Sequence, residues 1–460
     1  MSSPRLRLLT IAWAIALLTT LNSSLVSYSG AFYPCTATAT GLSALVLLVL
    51  PSQGVLLLSA ALLLLLVGDQ LPAVPNHRIV LAFIAATIML SSIRSTLWTK
   101  KTTTRSDTDS EAQGVTTLRW LTIILYSAAS LAKLNYSYLN PETSCARRFL
   151  GESLLLHGLS HPETIATLVI WWSILGELAI ALLLIPKRTR VFGIFFGVLF
   201  HLALATDYLT FFSNFSGAMY VLLFAWLSES AATSLWERGE RLWRTLIPTV
   251  GFLLAGILVA ALSGLLEPAV WAALRYPVSM VFGLTSAVLL LPQALSSIRR
   301  SPSPSHYRFP PPFWVLIAAA LLNAASPYLG IKTRSSFSMY SNLRIDHTAS
   351  NHLLMPASAD IFGYLGDSVT IISSSDEEFL KNAPPGDKEL PYISLCTYLA
   401  RMDGTPSSPT PKTTVTFRRH GIEVTASQGD PLPKDCPPWI ARKLLLFGAV
   451  GPGSDLECRW

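Results

Sequence analysis

Charge is what this sequence has least of. Only 13% of its 460 residues are Asp, Glu, Lys or Arg, where a soluble chain of ordinary composition carries about a quarter. That scarcity excludes an ordinary solvated globular protein of this length. The balance is mildly basic, with 34 Lys and Arg against 27 Asp and Glu, but no basic face is interleaved with aromatics, so no nucleic-acid partner is expected. Cysteine is scarce too. The five cysteines form no CxxC pair and no metal-ligand spacing, so no metal is expected. There is no phosphate-binding glycine loop, no GxSxG elbow and no haem-attachment motif. No internal repeat matches the inverted halves of a transporter.

What fills the chain instead is apolar sequence, 51% of all residues, arranged in runs of the length that crosses a bilayer, about 17–25 residues. The expected spans are Leu8–Ser27, Leu42–Val67, Ile79–Trp98, Leu118–Tyr138, Thr164–Ile185, Val191–Thr206, Leu209–Leu227, Leu246–Leu266, Trp271–Ser297 and Pro312–Ile331. The second contains PSQG, Pro51–Gly54, and reads as two short helices. The fold expected is therefore an all-α polytopic membrane bundle of about eleven crossings. Membrane lipid is its first partner. The first segment also resembles a signal peptide, with a basic start and an apolar core but no clean cleavage site.

Basic residues cluster in five places: Arg5/Arg7, Arg94 to Arg119, Lys187/Arg188/Arg190, Arg238/Arg241/Arg244 and Arg299/Arg300/Arg308. With the N-terminus inside and eleven crossings, all five fall on the cytoplasmic face, as the positive-inside rule requires. Cys35, Cys145, Cys396, Cys436 and Cys458 then all face the oxidising exterior, a second and independent signal. Five cysteines allow two disulfides and one spare thiol, with the pairing open. The expected localisation is integral to a plasma, inner or secretory-pathway membrane, with the C-terminal part outside. Two regions follow: a transmembrane domain over residues 1–331 and a small, strand-rich extracytoplasmic domain over 332–460. In the latter, DSVTIISSS and TTVTFRRHGIEVTAS read as strands, with RRHG as a turn. SPSPSHYRFPPP, Ser301–Pro312, is a stiff polar linker on the cytoplasmic side.

An ionisable side chain inside a membrane marks a candidate site. Lys133 follows the inner basic anchor Arg119 by 14 residues, which puts it about 21 Å into a core about 30 Å thick. Two readings stand side by side. The lysine snorkels, lifting its ammonium to the outer headgroups, or it faces a partly dry, outward-opening cavity, where desolvation favours the neutral amine and lets it act as a base. Glu177 and His201 fall at matching depth, about 15–16 Å from the inner surface. They either hydrogen-bond to each other and register two helices, or they serve beneath Lys133. Tyr126 and Tyr136 flank the lysine. Together with Asn135 they are the candidate substrate contacts, as Lys133, His201 and Glu177 are the candidate catalytic residues.

ASLAKLNYSYL, Ala129–Leu139, resembles the K-L segment at the outer end of a helix in vitamin K-dependent gamma-glutamyl carboxylases. The stretch from Leu175 to Ser228 is similar to a helix pair of the same family, with its basic turn, Phe200-His201 and an F-x-x-F-S element at Phe212–Ser216. SFSMYSNL, Ser336–Leu343, resembles the segment after the family's last helix. The wider group is known as the horizontally transferred transmembrane (HTTM) domain, and the resemblance covers about Leu8–Leu343. It implies that Lys133 matches a catalytic lysine that deprotonates reduced vitamin K, a quinol, and that an extracytoplasmic peptide is carboxylated through the strong base formed with oxygen. Asn135 stands where the family has an acid, a tyrosine stands where it has the tryptophan that follows, and the C-terminal region is much smaller. A quinol-linked, proton-abstracting membrane enzyme is therefore one expectation. The other is a non-catalytic membrane protein, an anchor or carrier for an extracytoplasmic partner.

Overall fold

A computed structural model describes residues 3–21, 33–99, 105–152, 163–206, 212–240, 280–292, 311–402 and 413–451, apart from a few isolated positions. The expected span Leu246–Leu266, the first part of Trp271–Ser297, most of the Ser301–Pro312 linker and Cys458 lie outside the described residues.

The described chain is mostly helical. In order come α1 (Pro4–Leu21), α2 (Tyr33–Val49), α3 (Gln53–Gln70), α4 (Asn76–Thr99), α5 (Arg105–Ala132), the short α6 (Tyr136–Leu139) and α7 (Cys145–Glu152). Then follow α8 (Glu163–Leu184), α9 (Arg190–Leu204), α10 (Phe212–Phe224) and α11 (Pro311–Leu329). Among the described residues five helices are long and apolar enough to cross a membrane: Gln53–Gln70, Asn76–Arg94, Gln113–Ala132, Glu163–Leu184 and Pro312–Leu329. Three shorter apolar helices, Cys35–Val49, Arg190–Leu204 and Met280–Pro292, accompany them.

PSQG breaks the second apolar run as its residues require. The break leaves α3 to start afresh, with the Ser52 hydroxyl accepting from the Val55 N–H as an N-cap. One expected boundary shifts. The helix read as Leu118–Tyr138 ends at Ala132, so Lys133 lies in the turn beyond it rather than inside the span. The cause is Asn135, whose side chain starts α6 and bonds back to the Ala132 carbonyl.

Helix α5 is the centre of the bundle. In its spanning window 72% of residues are buried, against 33–39% in the other four spans, and it packs against α4, α8, α10 and α11. Midway along it Arg119 is buried and donates to the Ala225 carbonyl at 2.9 Å, which satisfies the C-terminal end of α10. Helices α1 and α10 meet closely through Gly217, where an added Cβ would lie 3.2 Å from the Ala16 Cα and 2.7 Å from the Thr19 hydroxyl. Small residues at such crossings let helix backbones approach.

Beyond α11 the chain turns at Gly330, whose positive φ of 66° and contact with the Asp360 backbone leave no room for a side chain. Residues 331–366 then run across the ends of α3, α5 and α11. They lead into a four-stranded antiparallel sheet of β1 (Ser368–Ser374), β2 (Glu389–Pro391), β3 (Thr414–Arg419) and β4 (Ile422–Ser427), in the order β2-β1-β3-β4. RRHG is indeed the β3–β4 turn, with His420 and Gly421 both at positive φ. The strand-rich expectation is completed by helices α12 (Glu377–Asn382), α13 (Tyr392–Met402) and α14 (Trp439–Leu444). Cys396 on α13 is bonded to Cys436, Cys145 is also disulfide-bonded, and Cys35 is a free thiol. Arg419 lies 3.6 Å over the Tyr392 ring and pairs with Asp367 at 2.9 Å and with Asp435. The bonds from Arg419 hold the Asp435 carboxyl below its usual range.

Gly217→Val is expected to force α1 from α10 and cost about 1–3 kcal/mol of stability. The check is the thermal unfolding midpoint of the detergent-solubilised protein, with an exposed α8 substitution, Leu168→Val, as the neutral comparison.

Candidate functional site

Lys133 does not snorkel. Its side chain turns inward, only 6% exposed, and its ammonium donates to Glu177 Oε2 at 2.5 Å. Glu177 lies midway along α8 and is almost equally buried, at 10% of its side-chain surface. The register of α8 against α5 is set just beside the pair, where Ser130 Oγ donates to the Ile174 carbonyl at 3.1 Å. One α-helical turn away Ser173 shares a 2.6 Å hydrogen bond with the Tyr138 hydroxyl, and the Tyr138 ring faces Lys133 Nζ at 5.9 Å. Ser173 and Glu177 are four apart, so one face of α8 carries both.

Glu177 and His201 do not satisfy each other as the equal-depth reading allowed. Glu177 takes Lys133, and His201 Nε2 bonds instead to the Tyr126 hydroxyl at 2.9 Å. The partner was misread because depth fixes height along the helices and not the direction in which a side chain faces. Tyr126 stands seven residues before Lys133 and so on the same face of the chain. The His201 ring is enclosed by Phe200, Phe215 and Tyr220, and its Nδ1 has no partner among the described residues.

Asn135 and Tyr136 are not at this site. Asn135 is fully buried and spends its side chain on structure, donating to the Ala132 and Ser341 carbonyls and accepting from the Tyr138 N–H and the Asn351 amide. Tyr136 is 68% exposed, and its backbone N–H donates to the Asn351 carbonyl. Both residues join α5 to the C-terminal segment, and neither is among the residues that line the pocket beside Lys133.

Lys133 and Glu177 line a pocket of about 50 Å3, together with Ala129, Tyr138, Cys145, Ala146, Phe149, Val169, Trp172, Ser173, Phe200, Leu204, Phe215 and Tyr340. Trp172 is half-exposed on the outer face of α8 and stacks on Phe200 at 4.7 Å. Tyr138, Ser173, Trp172 and Tyr340 escaped the sequence reading. The i,i+4 relation to Glu177 could have found Ser173. Tyr340 arrives from beyond α11, within the Ser336–Leu343 stretch that carried the resemblance. The polar groups of the wall are the ion pair, Tyr138, Ser173, Tyr340 and the Trp172 indole, and the rest of the lining is apolar. Among the described residues no three His, Cys, Asp or Glu side chains converge as metal ligands.

Comparison with family models, curated proteins and solved structures gave no match.

Two substitutions separate the buried parts. Removing one member of a buried ion pair costs about 3–5 kcal/mol, whereas replacing both by apolar residues is often neutral. Lys133→Met and Glu177→Leu are each expected to lower the unfolding midpoint, and the double variant to recover most of the loss. Asn135→Ala strands two carbonyls and an N–H, at about 1–3 kcal/mol each. It is expected to open residues 341–352 to proteolysis while leaving the spanning helices protected.

Proposed function

We propose that this chain is a multi-pass membrane enzyme that abstracts a proton at a pocket near one membrane surface, with Lys133 as the base and Glu177 as its charge partner. The observation that carries this reading is the 2.5 Å Lys133–Glu177 pair in the wall of a pocket. A charge in a membrane bundle is costly, and such residues mark proton or substrate sites. The resemblance to vitamin K-dependent carboxylases and the HTTM group lends support, because Ala129–Leu139 supplies Lys133 and Leu175–Ser228 supplies Glu177 and His201. The two stretches meet at one place.

The chemistry balances within the pair. A proton shift from Nζ to Oε2 turns ammonium and carboxylate into amine and carboxylic acid without changing the net charge. The amine then takes a proton from an acidic O–H or C–H group in the pocket. Lys133 becomes ammonium again, and it stabilises the new anion beside it. Tyr126 and His201 close the inward side with a hydrogen bond that keeps the base of the site rigid. The group that gives up the proton belongs to a reduced quinone or to an extracytoplasmic peptide, the two substrate classes that the resemblance implies.

The topology that goes with this reading is eleven crossings with the N-terminus cytoplasmic and the C-terminal region extracytoplasmic. The disulfide at Cys396–Cys436 and the bonded Cys145 support it, because both suit an oxidising compartment at the end of the bundle where α5 and α11 finish. A second reading is favoured by one observation. The turn that holds Lys133 also carries residues 341–352, so the ion pair would serve as the static joint of a non-catalytic anchor.

Proton abstraction is measurable without knowing the substrate. The full chain in nanodiscs in D2O is expected to speed deuterium exchange at the α-carbon of a long-chain nitroalkane. Lys133→Met should fall to the rate of empty nanodiscs, and Glu177→Gln should lie between. Equal rates for wild type and Lys133→Met would leave only the anchor.

A further inference from the structure

We infer that the region after α11 is seated in the membrane surface by an apolar collar, so that its lasting partner is the lipid bilayer. Three backbone or side-chain anchors fix the height of this region on the bundle. The Leu353 N–H donates to the Leu134 carbonyl at 2.9 Å, two residues past the end of α5. The Ile361 N–H donates to the Leu329 carbonyl at 3.1 Å, the last residue of α11. Arg401 donates to the Gln70 carbonyl at 3.1 Å, where α3 ends, and Lys443 Nζ lies 3.5 Å from the Leu71 carbonyl.

At these same three places the surface is apolar. Leu354, Ile361, Phe362, Trp439, Ile440 and Leu444 are each 53–65% exposed. Loop residues held within a residue or two of the ends of spanning helices stand at the boundary between acyl chains and headgroups. Large side chains at that level, left in water, would form the kind of patch that marks an interaction site. Three of the six come from α14, which buries none of its residues and carries Arg442 and Lys443 beside Trp439. A short helix with an aromatic anchor and flanking cations is suited to lie in the interface plane. The occupant is lipid rather than a second chain because the spans that end at these places are themselves exposed and apolar, with Leu58 and Leu65 on α3 and Leu321 and Leu322 on α11. On α8 such exposed residues include Leu168, Leu175 and Leu182.

The collar rests on the membrane-spanning reading of the bundle, and the test keeps the two apart. In a Cys35→Ser background, single cysteines at Leu354, Phe362, Trp439 and Ile440 are spin-labelled in full-length chain reconstituted into phosphatidylcholine vesicles. Collisions with dissolved oxygen are compared with collisions with a water-soluble nickel chelate. Leu175 in mid-α8 and Glu423 on the edge strand β4 are the references. The expected result is oxygen preference at all four collar sites, several-fold above Glu423 and on the side of Leu175. Nickel preference at the collar with oxygen preference at Leu175 would overturn the inference alone. Exclusion of both reagents, with spin–spin broadening that grows with protein density, would overturn it in favour of a second copy of the chain. Nickel preference at Leu175 would instead remove the span reading beneath it. Should labelling perturb a site, quenching of Trp439 by bromolipid, read as the difference from Trp439→Phe, gives the same answer. Loss of that difference counts against the collar.

Discussion

A buried charge must bring its counter-charge with it, and that requirement fixes where α5 meets α8. Lys133 stands just beyond the end of α5, Glu177 within α8, and the side chains of both are almost wholly buried. Apolar packing alone would let the two helices slide by a turn at little cost, because lipid-facing and helix-facing surfaces are chemically alike. The ion pair removes that freedom. The Ser130–Ile174 and Tyr138–Ser173 bonds then follow from the register it sets. The pocket exists because these polar contacts hold the helices at a separation that Trp172, Phe200 and Phe215 only partly fill.

A second tier of polar groups holds the lysine's turn from the outside. Asn135 gathers α5, α6 and the 341–352 segment through one side chain, and Asn342 answers by accepting from the Cys145 N–H at 2.8 Å and donating to the Thr143 carbonyl. His352 reaches the Leu131 carbonyl from the same side at 3.0 Å. The site is therefore braced between a spanning helix pair and a segment that arrives after the last span. Geometry of the kind proton transfer requires is best kept by such second contacts.

How much of this could be read beforehand depends on whether the signal was local. The PSQG break, the β3–β4 turn at RRHG and the apolar spans were legible, because proline, glycine and run length act on the chain within a few residues. That Lys133, Glu177 and His201 are polar groups held inside the bundle was legible, because such residues in an apolar run are conspicuous. Their pairing was not. Height along a helix can be counted, but the azimuth that gives Glu177 to Lys133 and His201 to Tyr126 depends on how four helices pack. Asn135 looked like a substrate contact because it neighbours the lysine. Its role as a brace was hidden because two of its partners, Ser341 and Asn351, lie more than two hundred residues away. The helices of the C-terminal region were missed for a different reason, their brevity, since six to eleven residues give little period to detect.

That same distance has a consequence for biogenesis. The bonds from Asn135 to Ser341 and from Asn351 to Asn135 close loops of 206 and 216 residues. A ribosome releases the α5 end long before it makes their partners, and contacts so far apart form late. During that interval the turn holding Lys133 has its own helix bonds but neither of these two braces. The half-made chain thus carries α8 and the ion pair without the Asn351 brace or the Tyr340 wall, both of which arrive only after α11 has been made.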